Sequence, residues 1–234
     1  MHGQMYLKGM KEGIPVALGY FFVSITIGIA ARLADLTPMQ AAVMSLTNLT
    51  SAGQFASFTL IASGASFVEM AISQAVINLR YCLMSCALSQ KIDHELPMGH
   101  RLCMAFGITD EIFGLCISQK GKLEPWYMYG VMSVAIPGWV AGTVLGILST
   151  GVLPQPLLNA MSMALYGMFI AVFVPAARDN RILVPIIGIA MAASAAFQLF
   201  PMFDFISSGM KIIILTLVIS MAAALLFPIQ EEES

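Results

Sequence analysis

Residues 125–149 read PWYMYGVMSVAIPGWVAGTVLGILS, an apolar stretch without a single charged side chain. A helix rises about 1.5 Å per residue, so this run can cross the roughly 30 Å hydrocarbon core of a bilayer. Trp126, Tyr127 and Tyr129 open it together, as amphipathic aromatic rings do at a membrane interface. Working outward, polar breaks divide the chain into further segments of comparable length at 14–33, 38–63, 67–90, 100–118, 155–177, 182–199 and 206–228. Pro38, Pro97, Pro125, Pro154, Pro156, Pro201 and Pro228 fall at or near the turns between them, where a missing N–H costs little. The expected fold is an all-α, polytopic transmembrane helical bundle of about seven to eight membrane segments, with residues 1–234 forming one domain.

Composition points the same way. Apolar residues make up 59% of the chain, charged ones 10%, and the mean hydropathy is +0.85, whereas a soluble domain carries roughly 25% charged residues. A 25.1 kDa globule needs a large polar surface, and 11 basic with 13 acidic side chains barely supply one. Lipid must cover the remainder. The net charge of −2 and the scattered lysines and arginines offer no basic field for nucleic acid. Lys8 and Lys11 precede the first apolar run, but no small-residue cleavage site follows it, and the run reads as a retained span. Cys82 and Cys86 stand one helical turn apart, yet His2, His94 and His100 fall in the tail and a loop and complete no zinc site. Neither metal, disulfide nor other cofactor is expected.

Gly28 precedes Pro38 by the same spacing as Gly146 precedes Pro156, and PMQAAVMSLT at 38–47 parallels PLLNAMSMAL at 156–165. The pair is either an internal repeat, with halves near 10–118 and 125–228, or chance similarity in apolar sequence. Counting lysines and arginines puts the N-terminus inside whether every segment crosses or whether the second and sixth re-enter. In the second case Lys91 and Arg101 trade sides with Lys120 and Lys122.

Polar residues at membrane depth carry the functional reading. Segment 38–63 holds Ser45, Thr47, Asn48, Thr50, Ser51, Gly53, Gln54, Ser57 and Thr59, so its middle is polar and contains a glycine. Such a segment is expected to be discontinuous, and a half-helix N-terminus there would offer free N–H groups and a positive dipole end to a carboxylate. The plainer alternative is that small residues let helices pack closely. The next segment contains Glu69, Gln74, Asn78 and Arg80. An arginine in hydrocarbon costs about 2.5–3.5 kcal/mol on insertion scales and normally faces a cavity or a partner. On an undistorted helix Asn78 and Arg80 diverge by about 200° and do not share a site. Gln74, Asn78 and Ser85 form a stripe instead. The fourth segment places Asp110 and Glu111 near its centre, diverging by about 100°. One is expected to take a proton or an ammonium group and the other to neutralise Arg80, unless the carboxylates serve only as a structural charge pair.

The stretches GIPVALGYFFVSITIG (13–28), SAGQFAS (51–57), INLRYCLMS (77–85) and ITDEIFGL (108–115), followed by a glycine-rich span with Trp139, resemble the AzlC family. That family is the large subunit of branched-chain amino acid exporters, and the likeness covers most of the chain. The resemblance implies a multi-span permease of the cytoplasmic membrane that works with a small hydrophobic AzlD-type subunit. It also implies export of leucine, isoleucine, valine and, in some members, methionine. The matching positions are Gly53 and Gln54, Asn78 and Arg80, and Thr109, Asp110 and Glu111. Tyr81 departs from the family, which often has histidine after the arginine, so a proton role for that histidine does not carry over. Some homologues are described as ABC permeases, but this chain has no G-x-x-x-x-G-K-[ST] loop.

The expectation is therefore a secondary transporter that exports branched-chain amino acids, coupled to protons, with substrate held by Asn48, Gly53, Gln54, Asn78, Arg80, Thr109, Asp110 and Glu111. In it the carboxylate meets Gly53 and Gln54 or Arg80, and the ammonium meets Asp110 or Glu111. An aliphatic wall selects the side chain. A channel or a permease for another small solute is the alternative. No nucleophile with a matching base marks an enzyme, and a homo-oligomer is left open.

Overall fold

The computed structural model describes residues 2–152, 181–200 and 208–227, with isolated positions at 154–178 and at 206. Among the described residues every regular element is helical: α1 (His2–Leu33), α2 (Pro38–Thr47), α3 (Ser51–Ala62), α4 (Phe67–Ile77), α5 (Leu79–Ser89), α6 (Met98–Phe106), α7 (Asp110–Ile117), α8 (Pro125–Ser149), α9 (Leu183–Leu199) and α10 (Ser208–Leu226). α1 and α8 are each long and apolar enough to cross a membrane, and α4 with α5 makes a third crossing if the bent pair is one span. α9 and residues 213–226 of α10 are shorter apolar helices. The count of seven to eight segments and the repeat depend on 155–177, which includes PLLNAMSMAL and lies mostly outside the described residues.

The scaffold is the parallel pair α1 and α8. Glycines bring the two backbones into contact: a methyl group on Gly9 would strike the Tyr127 carbonyl oxygen, one on Gly142 the Phe21 carbonyl, and one on Gly146 the Ile25 carbonyl. Gly28 and Gly146 meet where the helices cross, a Cβ on Gly146 standing 3.0 Å from the Gly28 Cα. In lipid no hydrophobic force drives helices together, so this close approach supplies the dispersion contact that holds them. Pro15 and Pro137 lie inside these helices.

Local chemistry sets the breaks. Thr37 caps α2 in a reciprocal box with Gln40 and Pro38 follows in the first turn, while Thr50 starts α3 by accepting from the Gly53 amide at 3.1 Å. Gly64, at φ +68°, closes α3, a conformation that favours glycine. The segment 67–90 bends by 43° at Asn78. The segment 100–118, read from the sequence as one helix, is broken at Gly107–Thr109, and α1 begins well before residue 14. Both corrections have physical causes. Thr109 adopts an extended conformation and caps α7, and Gly107 passes so close to Met132 that a side chain would collide. The polar first turns of α1 lie beside 118–124 and α8, through Lys8 to Gln119 at 2.8 Å and Tyr127 to Glu12 at 2.6 Å.

Hydrogen bonds fix which ends meet. The Leu123 amide donates to the Lys91 carbonyl at 2.8 Å, Lys122 pairs with Asp93 at 3.1 Å, and the Lys91 ammonium reaches the Ile117 and Gln119 carbonyls that end α7. Together with the Glu95 amide, Lys122 holds the Asp93 carboxyl below its usual range. Residues 90–97 and 118–124 therefore sit at one end of the bundle beside the start of α1, and α6–α7 enters and leaves there as a re-entrant hairpin. A bend of 43° does not turn α4–α5 back, so 63–66 lie at the opposite end, with 34–37. α2–α3 is then a second hairpin, entering from that opposite end. The fourth segment does not cross, and Lys91 and Arg101 share an end with Lys120 and Lys122 instead of trading sides with them.

Candidate functional site

The two hairpin tips, the bend at Asn78, and the middle of α1 and α8 surround a cavity of about 430 Å³. Leu49, Ser51 and Ala52 line it from the first tip, Thr109, Asp110 and Glu111 from the second, and Arg80 and Tyr81 from the start of α5. Pro15, Val16, Gly19, Tyr20 and Val23 line it from α1, and Trp139 from α8. This volume lies within the range of small-molecule sites, and its lining combines an apolar wall with a few converging polar groups.

Arg80 Nη2 lies 3.0 Å from Asp110 Oδ2 and 3.3 Å from the Tyr81 hydroxyl, with the guanidinium carbon 5.0 Å from the Tyr81 ring centroid. The pair is open to the cavity, its side chains 40% and 42% exposed, while Arg80 Nε is buried without a hydrogen-bond partner among the described residues. Glu111 accepts from the Tyr20 hydroxyl at 2.6 Å, and the same hydroxyl is 2.6 Å from Thr109 Oγ1. Both carboxylates stand in the first turn of α7, where the helix dipole favours negative charge. The first turn of α3 faces the same space, and its Ser51 and Ala52 amides have no acceptor within the helix. The cavity thus presents one cation, two anions and a half-helix N-terminus beside Val16, Val23 and Leu49.

Of the eight expected substrate residues, Arg80, Thr109, Asp110 and Glu111 line this cavity, whereas Asn48, Gly53, Gln54 and Asn78 do not. Gln54 is fully buried and committed: its amide donates to Ser45 at 2.6 Å and its carbonyl accepts from Trp139 Nε1 at 2.9 Å. Ser45 continues to Thr143 at 2.8 Å, which ties the first hairpin to α8. The Gly53 amide serves the Thr50 cap, and its carbonyl accepts from Gln74 at 2.8 Å. Asn48 and Asn78 both donate to Gln74 Oε1, at 3.4 and 3.1 Å. The bend ends α4 at Ile77 and starts α5 at Leu79, so Asn78 joins the Gln74 cluster and Arg80 reaches Asp110. Ser85 of the expected stripe lines a different depression, and Glu69 accepts from the Met210 amide at the start of α10. The α1 face and Tyr81 are not among the residues expected from the sequence to bind substrate. Only Tyr20, a lone polar side chain after Pro15 and Gly19, offered a signal there.

The family described as AzlC protein matches residues 15–153, the stretch that contains both hairpins and the cavity. The chain belongs to the AzlC family. As an AzlC-family member it is a multi-pass membrane protein, in keeping with its apolar crossing helices. It is 27% identical over 190 residues to an uncharacterized membrane protein of Archaeoglobus fulgidus, covering 80% of this chain and 83% of the relative. It is 27% identical over 149 residues to the inner membrane protein YgaZ of Escherichia coli, covering 62% of this chain and 60% of YgaZ. A membrane protein of Helicobacter pylori is 27% identical over 151 residues, 61% of this chain and 65% of that one. The matches thus span less than two thirds of the Escherichia and Helicobacter relatives. No solved structure matches the chain. An AzlC-family membrane protein with a half-polar cavity between broken helices is consistent with transport of a solute.

Proposed function

We propose that this AzlC-family protein is a secondary transporter, not an enzyme, that exports branched-chain amino acids across the cytoplasmic membrane with a small AzlD-type subunit. The proposal takes the whole chain as seven or eight membrane segments, hairpins included, in repeated halves near 10–118 and 125–228. The observation that carries it is the Arg80–Asp110 pair, 3.0 Å apart and open to a cavity whose other wall is aliphatic. A zwitterion carries the same two charges at similar spacing. Its carboxylate takes Arg80 and the Ser51 and Ala52 amides, and its ammonium takes Asp110 and Glu111. Each charge lost from the protein pair is replaced by one from the substrate, so binding leaves no ion stranded at membrane depth. Val16, Val23 and Leu49 then receive the side chain. With substrate gone, the Arg80–Asp110 pair closes on itself, and a proton on Glu111 takes the place of the ammonium on the return step.

Efflux of preloaded radiolabelled leucine and valine from cells expressing the chain, alone and with a small hydrophobic neighbour, tests this. Saturable efflux that Asp110→Asn abolishes, at unchanged amounts of folded protein, is the expected result. Flux that does not saturate turns the reading to a channel, and flux untouched by Asp110→Asn removes that carboxylate from the mechanism.

A further inference from the structure

Resting on the amino-acid transport reading above, we infer that Gly19 sets the size of side chain the cavity accepts. Of the five glycines in α1, Gly9, Gly13 and Gly28 press against α8, where an added Cβ would collide, and Gly3 lies in the first turn. Gly19 is different. It lines the cavity, and a Cβ built on it meets no atom of the described residues within 4 Å. Among the described residues no close approach of helices and no unusual backbone conformation requires glycine at this place, and mid-helix glycine is unfavourable compared with alanine.

The neighbours explain what the glycine leaves. Pro15 and Val23 stand one turn before and after it on the same face of α1, with Val16 and Tyr20 alongside, and all four line the cavity. Gly19 is a notch in an otherwise filled wall of a cavity that Leu49 and Ala52 of the first tip also line. A branched aliphatic side chain fills such a notch. Gly19→Val would fill it from the protein side, taking from leucine space that alanine does not use. Each methylene shut out of an apolar pocket changes discrimination by about 10- to 200-fold.

The experiment is counterflow of labelled alanine, valine and leucine into proteoliposomes holding the full chain, with its small subunit where efflux requires one, for wild type, Gly19→Ala and Gly19→Val. Both variants replace glycine by a residue of higher helix propensity at a site with open space, so the fold is expected to be retained, checked by thermal unfolding. Leucine exchange falling at least about tenfold relative to alanine in Gly19→Val, with Gly19→Ala between, is the expected result. An unchanged leucine-to-alanine ratio, or equal loss of all three substrates, overturns the inference. Should the wild type exchange no amino acid, the proposed substrate falls instead. The wall assignment is then decided by Gly19→Cys in a background with the natural cysteines replaced. A thiol that reacts promptly with a small water-soluble methanethiosulfonate sustains it, and an inert one overturns it.

Discussion

At the scale of single residues, the two polar clusters behave differently because one is saturated and the other is not. Gln54 has its donor and acceptor engaged by Ser45 and Trp139 in a fully buried position. Gln54→Leu therefore leaves the buried Trp139 N–H without an acceptor and Ser45 with Thr143 alone, and a lowering of stability by about 1–3 kcal/mol is expected, measured by thermal unfolding in detergent. Tyr20 holds Glu111 and Thr109 together at the cavity edge. Tyr20→Phe removes the hydroxyl without changing the ring that packs edge-on to Trp139, with centroids 5.4 Å apart. Folding is expected to survive while transport slows about tenfold or more, because Glu111 loses the donor that orients it. Equal slowing of a solute that carries no ammonium group would show a general loss instead. Asp110 and Arg80 were legible in the sequence as charges that hydrocarbon does not tolerate alone. Gln54 was legible as polar, but its partner on α8, Trp139, is 85 residues away, and nothing local announces it.

At the scale of elements, the α1–α8 contact is a glycine seam and the hairpins hang from it. Gly142→Ala places a methyl group on the Phe21 carbonyl and the Ser24 hydroxyl, whereas Gly19→Ala meets nothing. The first change is expected to cost about 1–3 kcal/mol and the second to be neutral or slightly stabilising, a contrast that paired melting curves measure. The discontinuity of 38–63 was foreseeable from its polar centre and its Thr50 cap. That of 100–118 is less plain, because ITDEIFGL reads as mid-helix sequence except for the cap that Thr109 supplies. Thr109 before Asp110 and Glu111 is the local signal of a helix start that the sequence reading passed over.

At the scale of the molecule, among the described residues, the apolar helices α1 and α8, the bent pair α4–α5 and two hairpins from opposite ends converge on one cavity. Lys8, Lys11, Lys91, Arg101, Lys120 and Lys122 gather at one end, while Arg32 and Lys211 lie at the other, so the positive-inside rule leads us to expect the N-terminus in the cytoplasm. In a cysteine-free background, Gln90→Cys and Lys120→Cys are both expected to resist an impermeant maleimide applied to intact cells. Ser63→Cys is expected to react. Labelling of Gln90→Cys and Lys120→Cys from opposite faces would mean that 100–118 crosses after all.

Composition and hydropathy alone settled that this chain lives in a membrane as helices, because the cost of exposing so much apolar surface does not depend on how the segments are arranged. The identity of the charged residues that need a partner followed from the same cost. What only the tertiary structure decided is which segments cross and which turn back, and hence which polar residues share a cavity. An apolar run of twenty residues satisfies its backbone as one crossing helix or as two half-helices, and the two differ little in local free energy. The choice is made by contacts between distant segments, such as Leu123 to Lys91 and Trp139 to Gln54, that no neighbouring residue encodes.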